Sequence, residues 1–168
     1  AGFIGSPSMN IGSATVEERE GALHVKLDES SYLRLADAAL DAYPGVRKYV
    51  GRPVAVGMRP EHFYRADSST PPDTTMQQRD VQLVELLGSE VLVHFGTGAR
   101  PVISEDLRDA IDDAEVFAEL EHAAESGTQQ FVARLEPHEA PKMGQKVDLA
   151  FKTEHMHFFD IDTGQALR

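Results

Sequence analysis

Cysteine is absent from this chain, which removes disulfides, thiolate nucleophiles and zinc-thiolate centres together and fits a reducing compartment. No apolar run approaches the roughly 20 residues needed to cross a bilayer, and no basic and apolar leader opens the sequence, so a cytosolic setting is expected. Positive charge is scarce: 16 Lys and Arg stand against 28 Asp and Glu, for a formal net charge of −12. A surface of that sign repels phosphate backbones, so nucleic acid is not expected as a partner. A nucleophile elbow, a phosphate-binding loop and a metal-ligand helix are also missing, and the expectation is no catalytic residue, no metal and no cofactor.

What is present is the composition of a folded protein. Of 168 residues, 41% are hydrophobic and 26% charged, enough to bury the core of one ordinary domain. The chain is organised around residues 54–63, Val-Ala-Val-Gly-Met-Arg-Pro-Glu-His-Phe. The alternation of Val54, Val56 and Met58 predicts a strand with one buried face, and the Arg59-Pro60 step predicts an extended exit, because proline disfavours a helical residue before it. Glu61 and His62 then fall at the rim of a barrel, as a site or as a corner.

Residues 2–10 are rich in breakers and read as a connector anchored by Phe3, Ile4 and Met9. Residues 13–18 and 22–27 predict a hairpin around Arg19-Glu20-Gly21, with Leu23, Val25 and Leu27 on one face. Ser30 suits a helix N-cap, and Leu33, Ala36, Leu40 and Tyr43 recur at helical spacing until Pro44-Gly45. Residues 67–78 lack apolar period and read as a mobile surface loop. Residues 80–87 and 90–95 form a second hairpin with Gly88-Ser89 at its turn, apolar on both faces and therefore inside a sheet. Residues 129–135, 146–151 and 156–160 add three short strands punctuated by Gly127, Gly144 and Gly164. The whole is a small β-barrel and not a series of βαβ units.

The exception is residues 104–126, where Leu107, Ile111, Ala114 and Phe117 or Ala118 step at helical spacing, as one helix or two short ones. Nine acids and a single Arg108 give this insert −8 of the total −12. It is a docking surface for a basic partner or, more plainly, a solvated acidic face.

His155-x-His157, flanked by Glu154 and Asp160, has the spacing that places two imidazoles on one strand face, with Glu61 and His62 as further metal ligands. The plainer reading has His157 packed beside Phe158 and Phe159 and His155 near a turn. Glu61, His62 and His94 converging in a cleft would be an acid/base set, but no nucleophile or substrate motif accompanies them.

Four segments, in order, resemble one family: Phe3-Ile4-Gly5-Ser6-Pro7-x-Met9-Asn10, Gly57-Met58-Arg59-Pro60-Glu61-His62, Val84-Glu85-x-Leu87-Gly88-x-Glu90, and His157-x-Phe159-Asp160-x-x-Thr163-Gly164-x-Ala166. They resemble the C-terminal regulatory domain of the ATP-binding subunits of carbohydrate ABC importers of the maltose, trehalose and glycerol-3-phosphate type. The departure is the long acidic insert. The resemblance implies a mainly β fold, an OB-fold-like barrel of the TOBE/MOP type with one or two inserted helices. It implies a connector at residues 1–12 from a nucleotide-binding domain, a regulatory domain at 13–168, and the acidic helical insert at 104–126.

The same resemblance implies a non-enzymatic role. The family places its ATPase motifs upstream of the connector; its regulatory domains pair, tether the ATPase domains and offer a surface to regulators. The implied partners are that upstream domain, a second copy of the subunit and, through the ATPase domain, the membrane permease, at the cytoplasmic face of the membrane. Phe159 matches an aromatic near the inter-subunit surface, with Phe158 beside it, and Gly144 matches a turn glycine linked with regulation. Gly57, Arg59, Pro60, Glu61, Gly88, Asp160 and Gly164 match structural positions, and Arg59 with Glu61 is expected to hold the barrel corner. The alternative is a TOBE module that binds an oxyanion or a sugar, with Arg59, Arg134 and Lys142 as its cations.

Overall fold

The first hairpin forms where Glu20 and Gly21 both take positive φ, 53° and 77°, the backbone that a two-residue primed turn requires. It joins β1 (Asn10–Arg19) to β2 (Ala22–Asp28). A computed structural model describes residues 8–102, 114, 115, 118 and 129–168. Its further strands are β3 (Ser31–Arg34), β4 (Pro53–Met58), β5 (Phe63–Arg65), β6 (Thr75–Leu87), β7 (Glu90–Thr97), β8 (Gln129–Leu135), β9 (Lys146–Phe151) and β10 (His157–Phe159), with one short helix α1 (Asp37–Ala42). They make two five-stranded sheets, ordered β10-β4-β1-β2-β3 and β5-β9-β6-β7-β8. Neighbouring strands in both are antiparallel.

The two sheets curl around one apolar core. Val16, Val25, Leu33, Val54 and Met58 from the first meet Met76, Val93, Phe95, Phe131 and Phe151 from the second. Phe63 stands edge-on to Phe151 and Phe95 with ring centroids 4.8 and 5.5 Å away, and Phe95 meets Phe131 at 6.1 Å. The fold is the mainly β, OB-fold-like architecture expected.

The structure departs from the sequence reading at several elements. Ser30 caps no helix: its amide and hydroxyl bond the Asp28 carboxylate in the turn from β2 to β3. Leu33 lies in β3 opposite Val25, so the helical spacing of Leu33, Ala36, Leu40 and Tyr43 is broken at its start and α1 begins only at Asp37. Pairing with β2 outweighs local spacing there. The loop expected at 67–78 is shorter, because Thr75 and Met76 are buried at the start of β6, paired with Ala150 and Leu149 of β9. β4 is buried on both faces and not one: Val54, Ala55, Val56 and Met58 are all fully covered. β1 begins at Asn10, inside the expected connector.

In the acidic segment Ala114, Glu115 and Ala118 are helical and exposed; the rest of that expectation, like the connector before Ser8, lies outside the described residues.

Candidate functional site

Three of the four motif segments meet on β4. Gly57 faces His157 across the β4–β10 ladder, and Val56 and Ala55 face Phe158 and Phe159. Met9 comes from the start of the chain onto the same glycine: a Cβ added to Gly57 would lie 2.7 Å from the Met9 sulfur. Asn10 bonds the Met58 carbonyl at 2.8 Å through its side-chain Nδ2. The glycine is needed here for close approach.

Side chains alternate along a strand, so Phe158 and Phe159 part to opposite faces. Phe158 is fully buried, edge-on to Tyr43 at 5.5 Å. Phe159 is half-buried on the outer face, where Met9, Phe159 and Ile161 flank Ile11, Ala55 and Val102 in a small apolar cluster separate from the main core.

Asp160 then closes the segment. Its Oδ2 accepts from the Tyr49 hydroxyl at 2.5 Å, and its Oδ1 from the amides of Asp162 and Thr163, both at 2.9 Å. The Tyr49 hydrogen bond, followed by the Thr163 amide, holds this carboxyl below the usual aspartate range. Gly164, at φ 71°, returns its amide to the Asp160 carbonyl, and the chain runs back so that Ala166 bridges to Phe159 and the Leu167 amide bonds the Phe158 carbonyl. The Asp-x-x-Thr-Gly segment is thus a clamp that fixes the short edge strand β10.

The third motif joins the second through Arg134 on β8. Its guanidinium lies 3.3 Å from Glu90 and 3.9 Å from Glu61, at the turn Pro60–His62 that ends β4. The corner is therefore held by Glu61 with Arg134, whereas the Arg59 side chain is exposed and contributes its carbonyl to the His62 amide. Gly88, at φ 67°, turns β6 into β7. Gly144, at φ 78°, lies apart from Phe159: its amide bonds the Val81 carbonyl of β6, before β9 in the other sheet.

The metal and acid/base groupings do not assemble. His155 belongs to the turn Thr153–His155 and not to a strand, so its two-residue spacing from His157 carries no common face. His157 Nδ1 lies 2.7 Å from the Tyr43 hydroxyl, while the His155 ring stacks on His62. His94 pairs with Glu85 across the second hairpin at 2.6 Å, whereas Glu61 has Arg134 as its partner. Among the described residues no group of three His, Asp or Glu side chains is placed to hold a metal ion.

Asn10, Tyr49 and Arg134 hold these segments together; the sequence marked Asn10 only as a motif residue and Arg134 only as a cation of the oxyanion-binding alternative, and Tyr49 not at all. Asn10 reaches Val132, Tyr49 reaches Asp160 and Arg134 reaches Glu61, all distant in sequence, so no local pattern marks these contacts.

The fold defines an OB-type β-domain. It is similar to the cytoplasmic molybdate-binding protein ModG, solved with molybdate bound, at a TM-score of 0.53 and 11% identity, over 92% of this chain and 98% of that one. The family match is more particular. Residues 5–63 match the MalK OB fold domain, and the chain as a whole is similar to the ATP-binding subunits of carbohydrate ABC importers.

Similar proteins include the trehalose import ATP-binding protein SugC of Mycobacterium tuberculosis, 32% identical over 99% of this chain and 40% of that protein. The trehalose/maltose import ATP-binding protein MalK of Thermococcus litoralis is 29% identical over 99% and 36%. The sn-glycerol-3-phosphate import ATP-binding protein UgpC of Escherichia coli is 29% identical over 98% and 35%. The chain thus spans about 40% of the length of the curated relatives it matches. Among the described residues no helix is long and apolar enough to cross a membrane.

Proposed function

We propose that this chain is the regulatory and dimerisation domain of the ATP-binding subunit of a carbohydrate importer. On this reading the residues before β1 connect it to an upstream ATP-binding domain, and the chain from Asn10 onward forms the regulatory domain with its acidic insert. The assembly sits at the cytoplasmic face of the membrane, peripheral through the permease that the ATPase domain contacts. Paired regulatory domains hold two ATPase domains at high effective concentration, so the pair closes again without a diffusional search. The domain itself neither binds nor hydrolyses ATP. The transported solute is a disaccharide such as trehalose, with glycerol-3-phosphate second.

The observation that carries this reading is the division of Phe158 from Phe159. One aromatic is spent on the core, and the other stands half-buried on an outer apolar cluster where a second copy supplies the missing cover. A two-fold pair presents the same patch twice, and truncating such an anchor costs about 2 kcal/mol or more of association energy. Gly144, at a turn of the other sheet, is proposed as a second regulatory position apart from the Phe159 cluster.

Sedimentation of the wild type and Phe159→Ala over a wide concentration range tests it. The expected result is a wild-type dimer with Kd in the micromolar range, about −8 kcal/mol, and a folded monomeric variant. If both stay monomeric, or the substitution unfolds the chain, the assignment of Phe159 is wrong. Calorimetric binding of MgATP at micromolar concentration would overturn the non-enzymatic reading.

A second reading, an oxyanion or sugar-binding module, is favoured by the fold shared with ModG and by a groove that gathers Lys26, Arg79 and Arg100. Against it, Arg79 is paired with Asp28 at 2.8 Å in that groove, and Arg134 is engaged by two carboxylates. Titration with molybdate, sulfate, glycerol-3-phosphate and trehalose separates the two readings.

A further inference from the structure

The corner that ends β4 and the corner that begins β10 are closed on each other by two imidazoles. His62, at the end of the turn Pro60–His62, and His155, at the end of the turn Thr153–His155, stack with ring centroids 3.9 Å apart and planes 12° from parallel. The backbone reinforces the contact: the Lys152 amide donates to the His62 carbonyl at 3.1 Å, and the His155 amide donates to the Lys152 carbonyl at 3.0 Å. Phe151 presents its ring perpendicular to His62 at 6.4 Å. The second corner also holds α1, since the Ala36 amide bonds the Thr153 hydroxyl at 3.1 Å.

We infer that the His62–His155 stack is an acid-released clasp between the two corners. Neutral rings at this spacing attract by dispersion, and one imidazolium over a neutral ring is still attracted to its π face. Two imidazolium ions at the same spacing repel, so charge on both rings parts them.

The surroundings favour this outcome. From the β4 corner come Arg59 and Glu61, from the other corner Lys152, with the exposed Glu154 beside it in sequence, and from β10 His157. Of the groups acting on His62, burial, His155, Lys152 and Arg59 disfavour its charged form, in that order apart from Glu61, which favours it. His62 is therefore held below the usual histidine range of 6.5. The unfolded chain takes up this proton first, so the stabilisation is complete above pH 6.5 and drains away as pH falls through 6.5 toward the folded value. Opening the clasp frees the Lys152 amide and the turn from which β10 starts.

The test is residue-resolved NMR on the full chain, comparing the wild type with His155→Gln and with His155→Phe, which keeps an aromatic face without a titrating nitrogen. The His62 imidazole midpoint is expected to rise in both variants. Between about pH 7.5 and about pH 5 the Lys152 amide, corrected for intrinsic exchange, is expected to lose about tenfold more protection in the wild type than in either variant. An unmoved His62 midpoint, or parallel loss of Lys152 protection in all three proteins, overturns the proposal. Reading individual residues separates the clasp from His157, which burial, then Arg59 and Arg168, also push down.

Discussion

Asn10 pairs with Val132 as a neighbouring strand would. The Val132 amide donates to Asn10 Oδ1 at 2.7 Å, and Asn10 Nδ2 donates to the Val132 carbonyl at 2.9 Å and to the Met58 carbonyl at 2.8 Å. β8 ends the second sheet, so one side chain from β1 satisfies part of its free edge and ties the two sheets together. Asn10 is only 7% exposed, and no water replaces these bonds cheaply.

Asn10→Ala is therefore expected to lower the unfolding free energy by about 2–3 kcal/mol, the cost of leaving buried backbone groups unpaired. Asn10→Asp keeps the acceptor for the Val132 amide but turns a charged oxygen toward two carbonyls. It is expected to be worse than alanine at neutral pH and to recover on acidification, as the carboxyl regains a proton to donate. Urea unfolding at two pH values reads both.

Gly57 leaves room for Met9, whose Sδ and Cε would lie 2.7 and 2.8 Å from an added Cβ. Gly57→Ala is expected to cost about 1 kcal/mol, since the methionine tail is flexible enough to give way. In the double variant with Met9→Ala the penalty of the added methyl should largely vanish. A double-mutant cycle in thermal unfolding measures that coupling, and strict additivity would refute the contact.

Arg79 on β6 bonds Asp28 on β2 at 2.8 Å and the Ser30 hydroxyl at 2.8 Å, with both ionic side chains nearly covered. Burial alone pushes the Asp28 carboxyl up, but the Ser31 hydroxyl, the Gly98 amide, the Arg79 cation and the Ser30 amide, in that order, outweigh it and hold the group below the aspartate value of 3.8. Removing one partner strands the other, so Arg79→Met should cost about 2 kcal/mol at neutral pH. The Asp28 contribution is present above pH 3.8 and lost as pH falls through the folded value, so wild type and variant converge in acid. A gap that stays constant down to acid unfolding would show that packing, not charge, is responsible.

Glu20 holds φ 53° at the first position of the β1–β2 turn, a region that glutamate enters at a cost. Glu20→Asn gives the Asn-Gly pair that this turn prefers and is expected to raise stability by about 0.5 kcal/mol, read as a higher denaturation midpoint with unchanged slope.

Much of the β architecture was legible because strand ends are written locally. Glu20-Gly21 and Gly88-Ser89 mark hairpins, Arg59-Pro60 stops β4, and adjacent Phe158 and Phe159 must divide between faces. The helix expected from Ser30 failed because Leu33 had a better partner in Val25 than in any residue one turn away. Phe63–Arg65 was missed as a strand: three residues carry too little pattern, and β9 supplies the pairing. The metal reading of His155 and His157 failed because His155 belongs to a turn and not to the strand that carries His157.

The sequence by itself determined the charge, the absence of thiol chemistry, the two tight hairpins and the order of the four motif segments, since these depend on composition or on neighbours a few residues apart. The tertiary structure alone decided that Met9 nests on Gly57, that Asn10 closes the edge of β8, that Arg134 and not Arg59 holds Glu61, and that His62 meets His155. Each of those contacts spans a large loop of chain, and its partner is chosen by how two curled sheets pack around a shared core, a relation with no periodicity to read along the chain.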